Sequence, residues 1–276
     1  MPGAPDPLYV AARRVLLDAL DALRAHLDAV VLVGAQAVYV HAGEADMAVA
    51  PFTTDGDLAL DPRLLGAEPL LERALARANF RSGGAIGRWE LSVDVAGVSR
   101  IVAVDLLVPA SLGGAGRRGA RIPPHGNDVA RKATGLEAAL VDRDVTTLDA
   151  LDLADPRHVQ LAVAGPAALL VAKVHKMLDR VERPDRTRDK DALDVYRLLR
   201  AVPTEELARR FRTLLADDVA RESAEYTIKE IPNLFGAMSG AGVRMAVRAA
   251  APLEPGGTLS ASLVVLTSDL IDALRR

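Results

Sequence analysis

Apolar residues recur along this chain with two different periods, and the switch between them marks its organisation. Leu16, Leu17, Leu20, Leu23 and Leu27 fall at helical spacing and predict an amphipathic helix over residues 7–28. A short buried strand is predicted over 29–33, and a small-residue turn at Gly34 feeds a helix that runs to about His41. A second strand is predicted over 57–61, ending at Asp61-Pro62, and a second amphipathic helix from Leu64 to Asn79. Trp89–Val95 and Arg100–Val108 read as paired strands, and the Gly-, Arg- and Pro-rich stretch from Ser111 to Asp128 as a loop. Ala138–Leu148 and His158–Val163 read as a further strand pair. Beyond Gly165-Pro166 the period is helical throughout: 166–181, 191–200, 204–215, 217–228 and, after a turn-rich linker from Pro252 to Gly257, 258–275. The pattern predicts an α/β (α+β) domain with a mixed sheet over residues 1–164 and an all-helical domain over 165–276. No internal repeat is visible.

Composition narrows the possible partners. Half of the 276 residues are apolar but only 3% are aromatic, so the core must be built from Ala, Val and Leu. Few aromatics argue against a base-stacking platform for single strands. A net charge of −3 argues against a uniformly basic nucleic-acid binder, though not against a local basic patch. The chain has no cysteine, which excludes disulfides, thiolate metal sites and cysteine nucleophiles. No apolar run approaches a membrane span and no basic region precedes an apolar N-terminal core, so a cytoplasmic protein without membrane association is expected.

The candidate chemistry lies in three carboxylates. Asp55 and Asp57 sit two apart, ahead of Leu58-Ala59-Leu60. In an extended strand, side chains at i and i+2 share a face. Two like charges so close repel unless a cation lies between them, and paired carboxylates on a rigid strand suit Mg²⁺. Asp105 interrupts the apolar run from Ile101 to Val108, where an isolated buried carboxylate is costly. If its strand lies beside that of Asp55 and Asp57, the three could hold two divalent ions for phosphoryl chemistry. The plainer readings are a turn at Thr53-Thr54-Asp55-Gly56-Asp57 and a structural aspartate at 105 satisfied by backbone N–H groups. Asp94 competes for the third position but alternates with apolar neighbours and is expected to face solvent.

Two basic features follow. Lys173, Lys176 and Arg180 share one face of a predicted helix, either as a solvated face or as a phosphate clamp. Asp191 and Asp194 flank the apolar side of the next helix. Asp189 suits a capping role, whereas Asp194 suits a partner for Lys173 or a support behind it. Between residues 173 and 190 seven Lys/Arg face four acids, a local charge of +3 that suits RNA phosphates or a solvated linker equally. Arg117, Arg118, Arg121, Arg131 and Lys132 form a second such stretch.

In their order, the Gly34-Ala35 turn, the Asp55-Gly56-Asp57 pair and the strand aspartate Asp105 resemble the nucleotidyltransferase fold of DNA polymerase beta-like enzymes. Ala172–Arg180, followed by the basic stretch and the helix of Arg188–Tyr196, is similar to the AbiEii-type nucleotidyltransferase toxins. The resemblance implies transfer of a nucleoside monophosphate from an NTP to an acceptor hydroxyl. It implies two Mg²⁺ held by Asp55, Asp57 and Asp105, and nucleotide contacts from Gly34, Ala35, Gln36, Thr54, Lys173, Lys176, Asp191 and Asp194. Lys173 is the favoured triphosphate contact and Lys176 the second. It further implies a tRNA acceptor and a cognate antitoxin. The sequence departs from the family at Ala35, where Gly or Ser is usual, so a triphosphate contact there must come from backbone N–H groups or from Gln36. Small-molecule or protein acceptors, and a degenerate member that binds without turnover, are the alternatives.

Overall fold

The computed structural model describes residues 5–43, 52–181, 189–251, 253 and 256–276. Packing divides the chain into two compact units. The first comprises Met1–Gln36, Pro51–Ala133 and Arg143–Val163; the second comprises Ala37–Ala50, Thr134–Asp142 and Ala164–Arg276. The architecture is α+β, with a mixed sheet followed by C-terminal helices.

In the first unit, α1 (Pro7–Ala22) opens at Asp6, whose carboxylate accepts the Leu8 N–H at 2.8 Å, with Pro7 in the first turn. The helix ends sooner than its leucine pattern predicts, and Arg24–Ala29 continues as a 3₁₀ turn into β1 (Val30–Val33). After α2 (Gly34–Ala42) come β2 (Asp55–Leu60), α3 (Leu71–Arg77), β3 (Arg81–Ser82), β4 (Arg88–Val95), β5 (Val98–Pro109), β6 (Arg131–Ala133), β7 (Arg143–Asp149) and β8 (His158–Ala164). The sheet runs β3-β4-β5-β2-β1-β8-β7, and β6 also pairs with β5. The pairs β1–β2, β3–β4 and β4–β5 are antiparallel, whereas β1–β8, β2–β5 and β5–β6 are parallel. β1 is buried along its whole length, as its unbroken Val-Val-Leu-Val demands. α1 packs on the sheet at β2, β4 and β5, and Leu16 lies so close to Gly56 that a Cβ there would stand 3.0 Å from it.

Further elements differ from expectation. The helix expected from Leu64 forms only from Leu71, because Pro69 supplies no N–H and restricts Glu68. Two histidines take the carbonyls of the preceding segment instead: His26 Nε2 bonds Pro69 O at 2.7 Å and His125 Nε2 bonds Gly66 O at 3.0 Å. The Leu71 N–H donates to His125 Nδ1 at 3.3 Å, which leaves the His125 proton on Nε2. β6 is a three-residue strand inside a basic run, too short to carry a period. Residues 137–140 form a 3₁₀ turn, so β7 starts only at Arg143.

The second unit packs α4 (Pro166–Val181), α5 (Lys190–Ala201), α6 (Thr204–Ala216), α7 (Arg221–Phe235), α8 (Ala241–Ala250) and α9 (Gly256–Arg275). Asp142 holds the start of α4, accepting the Ala168 N–H at 2.9 Å and pairing with Arg210 at 2.7 Å. α7 starts later than predicted and runs on through Pro232 to Phe235, and α8 is an element the sequence pattern missed. Among the described residues α9 alone is long and apolar enough to cross a membrane, a length the sequence reading did not assign to any run. Leu259, Leu263, Thr267, Leu270 and Ala273 on one side of it are buried, and it packs on α5, α6, α7 and α8.

Candidate active site

Asp55, Gly56 and Asp57 are strand residues, so the turn reading of this pair is overturned. Gly56 is buried toward α1, which leaves Asp55 and Asp57 on the opposite face, both partly exposed. β2 and β5 run parallel with Asp57 in register with Asp105, and Asp55 with Ala103. The three carboxylates predicted from sequence therefore share one face on adjacent strands. Asp94 stands apart on the β4–β5 hairpin, exposed, accepting the Gly97 N–H at 3.0 Å.

The turn at the end of β1 is built around this face. Val33 is in register with Asp57, and Gly34 follows with φ +72°. A Cβ at Gly34 would overlap the Asp57 carboxylate. Glycine is thus required twice at one position, for the left-handed backbone and for the close approach. Ala35 and Gln36 are buried in the first turn of α2. The Gln36 amide bonds at both ends: its Oε1 accepts from Arg13 Nε at 2.7 Å and its Nε2 donates to the Asp55 carbonyl at 3.0 Å. Arg13 also donates to the Asp149 carbonyl at 2.7 Å, and burial lowers its pKa. Gln36 is accordingly a tie between the glycine turn and β2, which leaves backbone N–H groups as the turn's offering to a phosphate. Thr54 is exposed, whereas its buried neighbour Thr53 donates from Oγ1 to Asp55 Oδ1 at 2.5 Å.

Two arginines complete the face. Arg88 on β4 is in register with Asp105, and its Nη1 stands 3.9 Å from Asp105 Oδ1. Its hydrogen bond to Glu90, at 2.7 Å, together with the charges of Asp105, Glu90 and Asp55, raises its pKa against the opposing pull of burial. Arg131 on β6 is in register with Leu107 and reaches back to Asp105 Oδ2 at 3.0 Å. Asp105 Oδ1 is buried without a hydrogen bond. Gly87, with φ +76°, lets the chain enter β4 close to the Leu106 carbonyl and the Arg131 N–H. Arg13, Thr53 and Arg88 were invisible to sequence reasoning, since nothing local distinguishes them; Arg131 was visible only as part of a basic stretch.

Among the described residues, no three His, Asp or Glu side chains are gathered as a metal-holding set. The donor chemistry nevertheless fits a hard divalent cation: the carboxylates share a face, Asp105 Oδ1 is an orphaned oxygen, and a glycine keeps Cβ away from Asp57.

A second charged centre lies within the helical unit. Lys173 on α4 is 3% exposed, and its Nζ donates to Asp191 Oδ1 at 2.9 Å and Asp194 Oδ2 at 2.6 Å on α5. Lys176 is exposed and lies 3.6 Å from Asp191, while Arg197 lies 3.9 Å from Asp194 and packs over the Tyr39 ring. The partnership of Lys173 with Asp194, one of two readings open from sequence, is present, and Asp191 joins it. Asp189 makes no capping bond and instead holds Arg248 of α8 through two contacts of 2.8 Å. Arg183, Arg186 and Arg188 lie outside the described residues. Arg117, Arg118 and Arg121 are exposed, whereas Arg131 and Lys132 are engaged, Lys132 Nζ with the Gly114 carbonyl at 2.5 Å.

No protein-family model, curated protein or solved structure matches this chain.

Proposed function

We propose that the chain is a Mg²⁺-dependent nucleotidyltransferase with a nucleotidyltransferase-type fold in its first unit. The observation that carries this reading is the register of Asp57 with Asp105, with Asp55 on the same sheet face and the Gly34 turn against it. Asp55, Asp57 and Asp105 would hold two Mg²⁺, which when bound neutralise phosphate charge and activate an acceptor hydroxyl. The backbone N–H groups after Gly34 bind the β- and γ-phosphates. The acceptor oxygen attacks the α-phosphorus in line, one O–P bond forms, the α–β bridging P–O bond breaks, and pyrophosphate departs. Asp105 receives the hydroxyl proton. Catalysis comes from positioning and charge neutralisation.

The acceptor we propose is tRNA, with the protein acting as the toxin of a toxin–antitoxin pair; this part rests on the resemblance of the motifs alone. The opposing reading, a degenerate nucleotide- or partner-binding protein, draws on Ala35 and on the Arg131 side chain bound to Asp105. Incubation with each labelled triphosphate, Mg²⁺ and total tRNA tests the two. Label should enter tRNA with wild type and not with a folded Asp57→Asn variant. Equal labelling by both would sink the carboxylate mechanism, and no labelling of tRNA, protein or small molecules would favour the degenerate reading.

A further inference from the structure

We infer that Arg131 is the resident counter-cation of the carboxylate face, and that it competes with a divalent ion for Asp105 and so sets the metal affinity of the site. The inference rests on the nucleotidyltransferase reading of the same face, but its test does not use activity.

Asp105 lies between two arginines that are not equivalent. Arg88 is tied to Glu90 at 2.7 Å and reaches Asp105 only at 3.9 Å. Arg131 makes the true hydrogen bond, 3.0 Å to Oδ2, and its side chain is 40% exposed, so it can leave into water at small cost. The other oxygen, Oδ1, has no hydrogen bond although it is buried. A carboxylate with one oxygen lent to a partly exposed cation and the other without a hydrogen bond is half-prepared for a second cation.

Electrostatics makes the two occupants exclusive. A divalent ion on Asp105 would share its carboxylate with a guanidinium, and like charges at contact distance repel strongly in a partly dehydrated setting. Arg131 must therefore swing away when metal enters, and the ion must first overcome the ion pair. The anchor of Arg131 does not need the side chain: the β6 backbone pairs with β5, and Arg131 also bridges to Gly119. Its neighbour Lys132 is held by the Gly114 carbonyl and does not compete for Asp105. Once released, the Arg131 guanidinium is a bidentate phosphate ligand beside the site.

The test is Mn²⁺ binding without substrate, followed by the paramagnetic signal of the free ion. Arg131→Gln should bind Mn²⁺ roughly two- to fivefold tighter than wild type, the fold-change expected for losing one partly exposed competing pair. Arg131→Lys, which keeps the charge, should stay near wild type, and Asp57→Asn should abolish binding in either background. A mutant-free measurement accompanies it: Mn²⁺ should increase modification of Arg131 by an arginine-selective dicarbonyl reagent, mapped by mass spectrometry, in wild type but not in Asp57→Asn. If Arg131→Gln binds no tighter than wild type, or Arg131 reactivity ignores Mn²⁺ while Asp57→Asn still abolishes binding, the exchange is wrong and the carboxylate site stands. If no variant binds Mn²⁺, the metal-site reading falls with it.

Discussion

Gly34 carries two constraints that no other residue type satisfies together. Its φ of +72° costs an L-residue about 1–2 kcal/mol, and a Cβ would overlap the Asp57 carboxylate, which must then move. Gly34→Ala should therefore destabilise the protein by about 2–4 kcal/mol. The loss is measurable by urea unfolding, and Mn²⁺ binding should weaken with it. A variant as stable as wild type, with unchanged binding, would show that the turn is not tied to Asp57. The residue scale also explains why Gln36, on sequence a candidate for the triphosphate, is a structural link: a buried amide must satisfy its groups, and Arg13 and the Asp55 carbonyl are what the fold brings to it.

Between elements, the same accounting governs α4 and α5. Lys173 is almost fully buried between Asp191 and Asp194, and a buried ion cluster is sustained only by its partners. Removing the lysine alone strands two carboxylates, so Lys173→Ala should cost about 3–5 kcal/mol of stability. Lys173→Met combined with Asp191→Asn and Asp194→Asn should recover much of that loss, whereas Lys176→Ala, at an exposed position, should cost less than about 1 kcal/mol. Thermal melts of the series check the order. Nucleotide titration of the triple variant then separates a phosphate contact from a purely structural cluster, since only the former predicts lost binding in a folded protein. At this scale the periodic elements were legible and the aperiodic ones were not. The leucines of α1 and the helices at 166–181 and 204–215 announce themselves, and so do the pairing partners β4 and β5. α8, rich in Ala and Arg behind a glycine-containing link, and β6, three residues long, do not. α3 is shortened because Pro69 supplies no N–H and restricts Glu68, and histidines from elsewhere in the chain take the carbonyls this leaves.

Across the whole molecule, stability should depend on pH through two depressed histidines. Burial, the largest cause, lowers the pKa of His125 in the first unit and of His175 in the second. The unfolded chain then binds more protons than the folded one between each lowered value and the ordinary histidine value of about 6.5. Stability is complete above 6.5 and is lost as pH falls through the folded value. For His125 the geometry supplies the reason: protonation would place a hydrogen on Nδ1 where it faces the Leu71 N–H. His26, edge-on at 5.6 Å, acts in the same direction as burial, while the hydrogen bond to the Gly66 carbonyl and the charges of Glu72 and Glu68 oppose it. The melting temperature should be flat above neutrality and decline below it, and His125→Gln should flatten part of the decline. An identical profile in His125→Gln would remove this residue from the account.

The sequence by itself determined the α+β-then-helical order, the strand nature of the β4–β5 pair and the identity of three aspartates worth watching, because period and the cost of a buried charge are local properties. It did not determine that Asp57 and Asp105 stand in register, since that depends on β2 and β5 running parallel across an intervening stretch of chain. Nor did it distinguish Arg131 from four other basic residues in its stretch, or Arg13 from any other helix arginine. Only the tertiary structure, by bringing β6 to β5 and α1 to the Gly34 turn, decided which cation meets which carboxylate, because a charge acts on what is near it in space and carries no record of that in its neighbours along the chain.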